Sequence, residues 1–532
     1  MTQPQLDAVI VGAGFAGMYA LHRLLKDNHT ARVFEVGDGV GGTWYWNRYP
    51  GARCDVQSME YSYTFDEDLQ QAWEWSEKYA TQPEILTYAN HVADRFNLRD
   101  HITFNTRVLS AHYDEDGDFW TVTTDGGETV TARFCIMATG CLSSTNMPDF
   151  RGLDTFAGET YHTGQWPHEG VDFKGKRVGV IGTGSSAIQS IPLIAAECDE
   201  LTVFQRTANY SIPAHNEPLT EAFVADIKAR YPAFRAENRE MFAGFGATRV
   251  RHEDSIYDAD DAKREARFEE SWQVGGLGFL SAFGDMGADR DANNIAGEFV
   301  RNKIRNIVDD PETAELLCPT GVIGCKRLCV DTDYYKTFNQ DHVHLVDVSE
   351  NAIEEITKDG LITGGKEYTF DVLVFATGFD AMTGTLMKID IKGRGGEKLA
   401  DKWHAGPRTY LGLSVHGFPN LFTVSGPGSP SVLSNMIVTI EQHVEWISDC
   451  INYLRDHDQH SIEADLDAED YWVSLGNGIA DMTLFPTCNS WYLGANVPGK
   501  PRIFMPFVAG FPMYREICDD VAGDSYRGFT RA

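Results

Sequence analysis

The chain has 532 residues, of which 42% are hydrophobic and 23% are charged. This length allows several domains with large cores, and the composition excludes wholesale disorder, collagen and coiled coil. The 45 basic and 78 acidic residues give a formal net charge of −33, which disfavours nucleic acid and anionic membrane surfaces as partners. An anionic cofactor would therefore need basic residues at its own binding site to offset the negative charge of the protein.

No targeting or membrane-spanning segment is evident. The N-terminal run has no basic leader and is interrupted by glycines, and no uninterrupted apolar stretch is long enough to span a bilayer. The ten cysteines are scattered without a CxxC pair, so we expect buried, reduced thiols in a cytoplasmic protein. Cys325 and Cys329 lie close together, but no nearby His or second Cys pair completes a zinc set, and no metal site is predicted.

A dinucleotide-binding fingerprint opens the chain. A strand at residues 8–11 precedes a GxGxxG turn, a helical pattern and a second strand at 31–36. The glycines are expected to allow the tight turn, the approach of a pyrophosphate and the packing of helix on strand, and they are Gly12, Gly14 and Gly17. Glu35, near the end of the second strand, can accept hydrogen bonds from ribose hydroxyls, which predicts FAD or NAD.

A glycine pair follows in the sequence GGTW. We predict that Gly42, Thr43 and Trp44 carry the backbone past the pyrophosphate of the same cofactor. The alternative is a plain turn without a ligand.

The second fingerprint is a GxGxxA turn between strands at 177–181 and 201–204, with a helix at 188–196. Its residues are Gly182, Thr183, Gly184, Ser185 and Ser186. No acidic residue stands at the end of the following strand, which is followed instead by Arg206 and Thr207. A guanidinium and a hydroxyl suit a 2′-phosphate, so NADPH is favoured over NADH, and Lys326 could add a second cation. The alternative for both cations is a solvated surface position.

The rest of the chain predicts further strands at 103–108, 119–124, 129–137, 342–347 and 370–375. Residues 217–317 are charged and helix-forming, and helices are expected at 436–454 and 468–483. Residues 486–501 fit neither element and contain Trp491, so we interpret them as a lid. A surface loop whose Trp491 packs on the body is the alternative.

One motif points to a family. Residues 156–167 follow the pattern F-x-G-x-x-x-H-x-x-x-W-P, which resembles the signature of type I Baeyer–Villiger monooxygenases. The resemblance extends along the chain, through residues 53–55, 182–186, 326–328, 424–436 and 490–492. It implies that NADPH reduces FAD and that O2 then converts a ketone to an ester or lactone through a C4a-peroxyflavin and a Criegee intermediate. His162, within the motif, is expected to be structural.

The patterns and the resemblance together predict an α/β fold with two Rossmann-like dinucleotide-binding domains. We expect residues 1–145 and 386–532 to form the FAD-binding domain, and residues 146–216 and 326–385 the NADP-binding domain. Residues 217–325 are expected to form a helical lobe inserted in the NADP-binding domain.

The resemblance also implies roles for individual residues. Arg327 matches the guanidinium that stabilises negative charge near the flavin, and Asp55 matches the carboxylate that orients it. Lys326 would join Arg206 and Thr207 at the 2′-phosphate, and Trp491 would cap the nicotinamide and the substrate pocket. The remaining predicted cofactor contacts are Tyr61, Val108, Gln189, Met436 and Arg327 itself.

The predicted substrate pocket contains Cys141, Val432, Leu433 and Trp491. Cys141 and Val432 replace a Gln and an Ala found in a characterised member of the family, so the size and shape of the pocket are open. For Leu433 and Met436, core packing is the simpler interpretation.

Three alternatives have different chemistry. An N- or S-oxygenating flavin monooxygenase shares both fingerprints, but usually lacks the Trp-Pro ending and the Asp55/Arg327 pair. A flavin disulfide reductase needs a redox CxxC pair or its equivalent, and the sequence shows none. A non-catalytic protein would bind NADPH without oxygen-dependent turnover. No protein partner is indicated by the sequence.

Overall fold

The computed structural model describes residues 4–247 and 251–532. The strands of this part of the chain are β1 (Leu6–Val11), β2 (Ala31–Phe34), β3 (Ile102–Thr103), β4 (Val108–Asp114), β5 (Phe119–Thr124), β6 (Thr129–Met137), β7 (Glu159–His162), β8 (Arg177–Ile181), β9 (Glu200–Gln205), β10 (Ser211–Pro213), β11 (Cys329–Asp331), β12 (Val343–Asp347), β13 (Ile353–Thr357), β14 (Gly360–Thr363), β15 (Lys366–Thr369), β16 (Val372–Phe375), β17 (Asp390–Lys392), β18 (Leu421–Thr423), β19 (Ile462–Ala464) and β20 (Phe529–Arg531). The helices are α1 (Phe15–Lys26), α2 (Thr43–Trp46), α3 (Glu67–Ala72), α4 (Gln82–Arg95), α5 (Ser185–Ala195), α6 (Glu221–Ala229), α7 (Tyr231–Glu240), α8 (Asp261–Val274), α9 (Arg290–Ile307), α10 (Pro311–Leu317), α11 (Tyr334–Thr337), α12 (Leu399–Lys402), α13 (Met436–Asp456), α14 (Leu466–Ala480) and α15 (Phe511–Gly523).

The first sheet draws its strands from two distant parts of the chain. Its order is β17-β4-β5-β6-β1-β2-β3, and β18 also pairs with β6. Strand β1 runs parallel to both β2 and β6. One half of β6 is antiparallel to β5 and the other half is parallel to β18. Strands after residue 389 therefore complete a sheet that begins at residue 6.

The second sheet lies between these two contributions in sequence. Its five strands are parallel in the order β12-β9-β8-β16-β7. Strands β13 to β15 form a separate antiparallel sheet, and helices α6 to α10 lie between the paired strands β10 and β11.

Each large sheet has its own core. Helix α1 packs against α13, and Leu21 and Ile447 are buried in one cluster with Tyr514 of α15. A second cluster joins Val180 of β8 and Phe299 of α9, so the helical segment packs on the second sheet. Two separate cores agree with the predicted fold class, which is confirmed. The boundaries of the predicted domains stay a prediction.

Most predicted elements are present, with ends displaced by a few residues. The strand predicted at 103–108 is wrong, because β3 ends at Thr103 and β4 starts at Val108. Asn105 between them has a φ of +50°, which a continuous strand does not allow. The second strand of the first fingerprint stops at Phe34, so Glu35 follows its end. No helix in the described residues is long and apolar enough to cross a membrane.

Candidate active site

A single cavity of about 1640 Å³ runs along the ends of both fingerprint strands. It is lined by residues that follow β1 and β8, by the segment 319–328 and by part of the lid. In parallel sheets ligands bind beyond the carboxyl ends of the strands, where the two fingerprints lie. Every predicted site residue lines this cavity except Gly17 and Leu433.

The first glycine turn requires its glycines. Gly12 has a φ of +103°, and a Cβ there would lie 2.6 Å from the carbonyl oxygen of Ala138. A Cβ on Gly17 would collide with the carbonyl oxygen of Gly12, so Gly17 serves the packing of α1 on β1. A Cβ on Gly42 would lie 2.9 Å from the Cα of Gly14, so two bare backbone segments face each other.

The start of α1 is open toward the cavity. Its N-cap residue, Gly14, has no side chain to satisfy the first N–H groups of the helix. Free N–H groups at a helix N-terminus bind phosphate oxygens, aided by the helix dipole. The uncapped helix and the facing glycines therefore fit the pyrophosphate of a dinucleotide.

Glu35 is held rigidly at the edge of this turn. Its Oε2 accepts a hydrogen bond of 2.7 Å from the backbone N–H of Ala13, and its Oε1 accepts one of 2.8 Å from that of Gly37. Burial raises the pKa of the Glu35 carboxyl, although these backbone hydrogen bonds act in the opposite direction. Each oxygen keeps a lone pair, so the carboxylate can still accept from ribose hydroxyls.

The GGTW segment continues the same wall. Thr43 and Trp44 start the short helix α2, and the Trp44 indole N–H donates a 3.0 Å hydrogen bond to the hydroxyl of Tyr61. Val108 and Met436, which sequence places far apart, line the same cavity. This wall is largely aromatic and apolar, as a flat ring system requires.

The second fingerprint has the same architecture. Gly182 has a φ of +114°, and Gly184 begins α5 without a side-chain cap. The Thr183 hydroxyl donates to the carbonyl oxygen of Thr207 at 2.9 Å, which ties the glycine turn to the end of β9. Ser185, Ser186 and Gln189 line the cavity along the first turns of α5.

Two cations stand at this end of the cavity. Arg206 and Lys326 both line it, and neither has a carboxylate within ion-pair distance among the described residues. Burial lowers the pKa of Lys326, and the nearby Arg206 guanidinium lowers it further. Two adjacent cations without counter-ions favour a dianionic ligand, and a 2′-phosphate has that charge.

The central feature is the pair of Arg327 and Asp55. The Nε and Nη2 atoms of Arg327 each donate a hydrogen bond of 2.7 Å to a different oxygen of Asp55. A third hydrogen bond runs from Nη1 to the carbonyl oxygen of Val432. Burial by itself would lower the pKa of Arg327, but the Asp55 carboxylate outweighs it and the pKa is raised. The guanidinium therefore remains protonated while partly desolvated.

An apolar cluster adjoins Arg327. Cys141 and Val432 are buried in it, and Trp491, Leu433 and Met436 pack against it. Leu433 faces the cluster without lining the cavity, in agreement with a packing role. Burial raises the pKa of the Cys141 thiol, so this side chain is a neutral part of the wall.

Tyr492 is a site residue that the sequence does not predict, although its neighbour Trp491 is predicted. It is 2% exposed, and its side chain lies close enough to the Arg327 guanidinium for the positive charge to act on it. Burial raises the pKa of Tyr492 to about 12 against the opposing effect of Arg327. The lid therefore comes close to Arg327, and no spacing in the sequence reveals this.

The expectation that all cysteines are reduced is wrong for two of them. Cys325 and Cys488 are joined by a disulfide across 163 positions of sequence. The other eight cysteines are free and buried. Only the fold brings the segment before Arg327 next to the lid, which explains why the pairing could not be read from spacing.

His162 lies outside the cavity lining. It is 3% exposed, and its Nδ1 accepts a 3.0 Å hydrogen bond from the backbone N–H of Gly164. Burial lowers the pKa of His162 to about 4, so the ring is neutral at physiological pH. This agrees with a structural role between β7 and the following turn.

Comparisons with known proteins give consistent results. The chain matches the family described as pyridine nucleotide-disulphide oxidoreductase over residues 9–296. A Baeyer–Villiger monooxygenase of Pseudooceanicola batsensis is 43% identical over 99% of this chain and 96% of that protein. A solved steroid monooxygenase bound to NADP is 52% identical, with a TM-score of 0.94 and 99% of each chain covered. OTEMO, solved with FAD and NADP, is 41% identical with a TM-score of 0.96 over the full length of both chains.

One similar protein carries a different name. A phenazine N-monooxygenase of Lysobacter antibioticus is 41% identical over 98% of this chain and 96% of that protein. N-oxygenation therefore occurs in a relative of comparable similarity.

Proposed function

Because this chain belongs to the Baeyer–Villiger monooxygenase family, we propose that Arg327 and Asp55 are the catalytic pair of an enzyme that oxygenates ketones. The enzyme uses FAD, NADPH and O2 and converts ketones to esters or lactones. The observation that supports the roles of the pair best is the doubly hydrogen-bonded guanidinium at the cavity wall.

The two halves of the cavity suggest which cofactor each sheet holds. We assign FAD to the first sheet, through Gly12, Gly14, Glu35, Gly42, Thr43, Trp44, Tyr61, Val108 and Met436. We assign NADPH to the second sheet, through Gly182, Thr183, Gly184, Ser185, Ser186, Gln189, Arg206, Thr207 and Lys326. The discontinuous FAD-binding domain and the inserted helical lobe follow from this assignment, with the boundaries that the sequence predicts.

Bound FAD, once reduced by NADPH, supplies the activation of O2. The chain itself supplies charge stabilisation: oxygen carries negative charge as the ketone carbonyl is attacked, and Arg327 offers a fixed cation at this point. Asp55 keeps the guanidinium protonated and oriented, so little reorganisation is needed when the charge develops. Removal of a comparable donor costs about 2.7–4 kcal/mol of barrier in other enzymes.

The apolar cluster around Cys141 and Val432 favours a ketone with a hydrophobic body. Trp491 and Tyr492 of the lid cover this cluster and exclude water, which strengthens the electrostatic effect of Arg327. We place the enzyme in the cytoplasm, since NADPH is regenerated there.

Product analysis tests this proposal. The FAD-loaded enzyme is supplied with NADPH, air and aryl, cyclic and long-chain ketones, and esters or lactones are measured by mass spectrometry. We expect NADPH consumption to rise with ketone and a product heavier than the ketone by one oxygen atom. Oxidation of amines or sulfides without ester from any ketone would contradict the proposal and favour N- or S-oxygenation.

A further inference from the structure

The disulfide connects two parts of the active site. Cys325 lies two residues before Arg327, and Cys488 lies three residues before Trp491. Their Cα atoms are 6.3 Å apart, within the range of disulfides in proteins. The bond thus joins the lid to the segment that carries the catalytic guanidinium.

The other contacts of the lid are the apolar packing of Tyr492 and Leu493, several hydrogen bonds and one ion pair. Asn496 donates a 2.7 Å hydrogen bond to the carbonyl oxygen of Phe379, and Lys500 forms an ion pair with Asp380. Near the first half of the lid, Arg290 donates a 2.9 Å hydrogen bond to Thr487. The end of the lid is therefore held by polar contacts and its middle by apolar packing. Its first residues are held by the disulfide and by the weaker hydrogen bond of Thr487.

Both sulfur atoms belong to residues that line the cavity. Cys325 is 4% exposed and Cys488 is half-buried, so Cys488 is the more accessible of the two. Reaction of a thiol with a small oxidant depends on this access and on its thiolate fraction. A neutral molecule that enters the cavity can reach the pair.

We propose that Cys325 and Cys488 form a redox-modification site. Their disulfide holds the lid closed, and reduction of this disulfide releases the lid. Hydrogen peroxide, the two-electron reduction product of O2, is the oxidant. The Cys488 thiolate attacks one peroxide oxygen, the O–O bond breaks, and the other oxygen leaves as hydroxide, which takes up the thiol proton as water.

The Cys325 sulfur then attacks the sulfur of the resulting sulfenic acid. The S–S bond forms and the sulfenic hydroxyl leaves with the Cys325 proton as a second water. Two thiols and one peroxide thus give one disulfide and two waters. A dithiol reductant reverses the change, gives up two electrons and two protons, and becomes a disulfide itself. Disulfides in a reducing cytosol are typically transient and redox-sensing, in agreement with this use.

The Cys325–Cys488 disulfide limits how far the lid can move. With Cys488 fixed, the three residues to Trp491 allow an excursion of roughly 10 Å even when fully extended. Without the disulfide, only non-covalent contacts hold the lid, and these open on much shorter timescales. We expect oxidised enzyme to retain NADP+ longer than reduced enzyme. This last expectation depends on the proposed role of Trp491 as a cap on the nucleotide.

The test uses the full FAD-loaded chain. Samples are treated with hydrogen peroxide or with dithiothreitol, desalted, alkylated and mapped by peptide mass spectrometry. Chymotrypsin cleavage within residues 486–501 reports opening of the lid, and stopped-flow absorbance reports release of NADP+. Cys325→Ser and Cys488→Ser each prevent the disulfide. Cys198→Ser is the matched control, since Cys198 is a free buried cysteine outside the cavity.

We expect a linked Cys325–Cys488 peptide only after oxidation, with lid cleavage and NADP+ release several-fold slower than in reduced enzyme. Both serine variants should behave like reduced wild type under either treatment, and Cys198→Ser like wild type. Absence of the linked peptide after oxidation, or equal cleavage in both states, would overturn the proposal. Mapping and cleavage are measured without ketone, so a failure here is distinguishable from a failure of the oxygenase function.

Discussion

The Asp55 carboxylate holds the Arg327 guanidinium through two hydrogen bonds of 2.7 Å, although 272 positions of sequence separate them. Each side chain retains an exposed fraction of 23%, so the pair is partly open to the cavity. A bidentate arginine–carboxylate pair fixes the plane of the guanidinium. The remaining donors of Arg327 can therefore be aimed at a reacting oxygen.

Arg327→Ala should leave the reduction of FAD by NADPH nearly unchanged and lower ester formation by about 100-fold or more, because the fixed positive charge is lost. Stopped-flow flavin absorbance and product yield separate the two steps. Asp55→Asn should reduce ester formation less, since the guanidinium keeps its place but loses its counter-ion. Arg177 and Asp371 form a similar bidentate pair outside the cavity, so Asp371→Asn is the control. Full ester yield from Arg327→Ala would show that the assigned role is wrong.

Arg206→Ala should raise the KM for NADPH by roughly tenfold or more and hardly change that for NADH, because only NADPH carries the 2′-phosphate. Lys326→Ala should act in the same direction. Arg107, which lines the cavity beside Glu35, gives the control Arg107→Ala, for which the ratio of the two KM values should stay unchanged. An equal rise for both nucleotides in Arg206→Ala would argue against the 2′-phosphate assignment.

Tyr492→Phe removes the hydroxyl whose pKa the nearby Arg327 guanidinium affects, and it keeps the ring in its aromatic cluster. We expect kcat for ketone oxygenation to fall by about tenfold while the KM for NADPH is unchanged, since a polar group close to the Arg327 guanidinium is lost. Tyr453 accepts a 2.9 Å hydrogen bond from Arg531 at the end of α13, so Tyr453→Phe is a matched control. A normal kcat in Tyr492→Phe would mean that this hydroxyl has no part in turnover.

Glu441 predicts a pH dependence of stability. Burial raises the pKa of this carboxyl from 4.5 to about 7, which means that the folded protein keeps a proton that the unfolded chain releases. The contribution of Glu441 to stability is complete below pH 4.5 and is lost progressively as the pH rises to about 7.

As the pH rises across this range, the free energy of unfolding measured in urea should therefore fall for wild type relative to Glu441→Gln, which cannot ionise. Above a pH of about 7 the difference in the free energy of unfolding between the two proteins should become constant. Glu67→Gln, at an exposed position of α3, should follow wild type. Parallel curves for wild type and Glu441→Gln would show that Glu441 does not titrate in this range.

Local patterns made much of the fold predictable. Both glycine fingerprints are local, because turn, helix start and strand end occur within a short stretch, and strands β5 and β6 follow from their β-branched and aromatic residues. The resemblance to a family was needed for Asp55 and Arg327, since no spacing links them. Neither route identified Tyr492 or the Cys325–Cys488 bond, because both depend on how the lid folds back over the cavity.

The pairing of β18 with β6 and the packing of α13 on α1 affect the order in which the chain can fold during synthesis. The first sheet begins at residue 6, but its partner strand β18 leaves the ribosome only after residue 423. The second sheet, by contrast, is complete at residue 375. The nested unit can therefore reach its native packing while the outer unit still lacks β17, β18 and α13. Apolar surface on β1 and α1 stays uncovered until these elements have been synthesised.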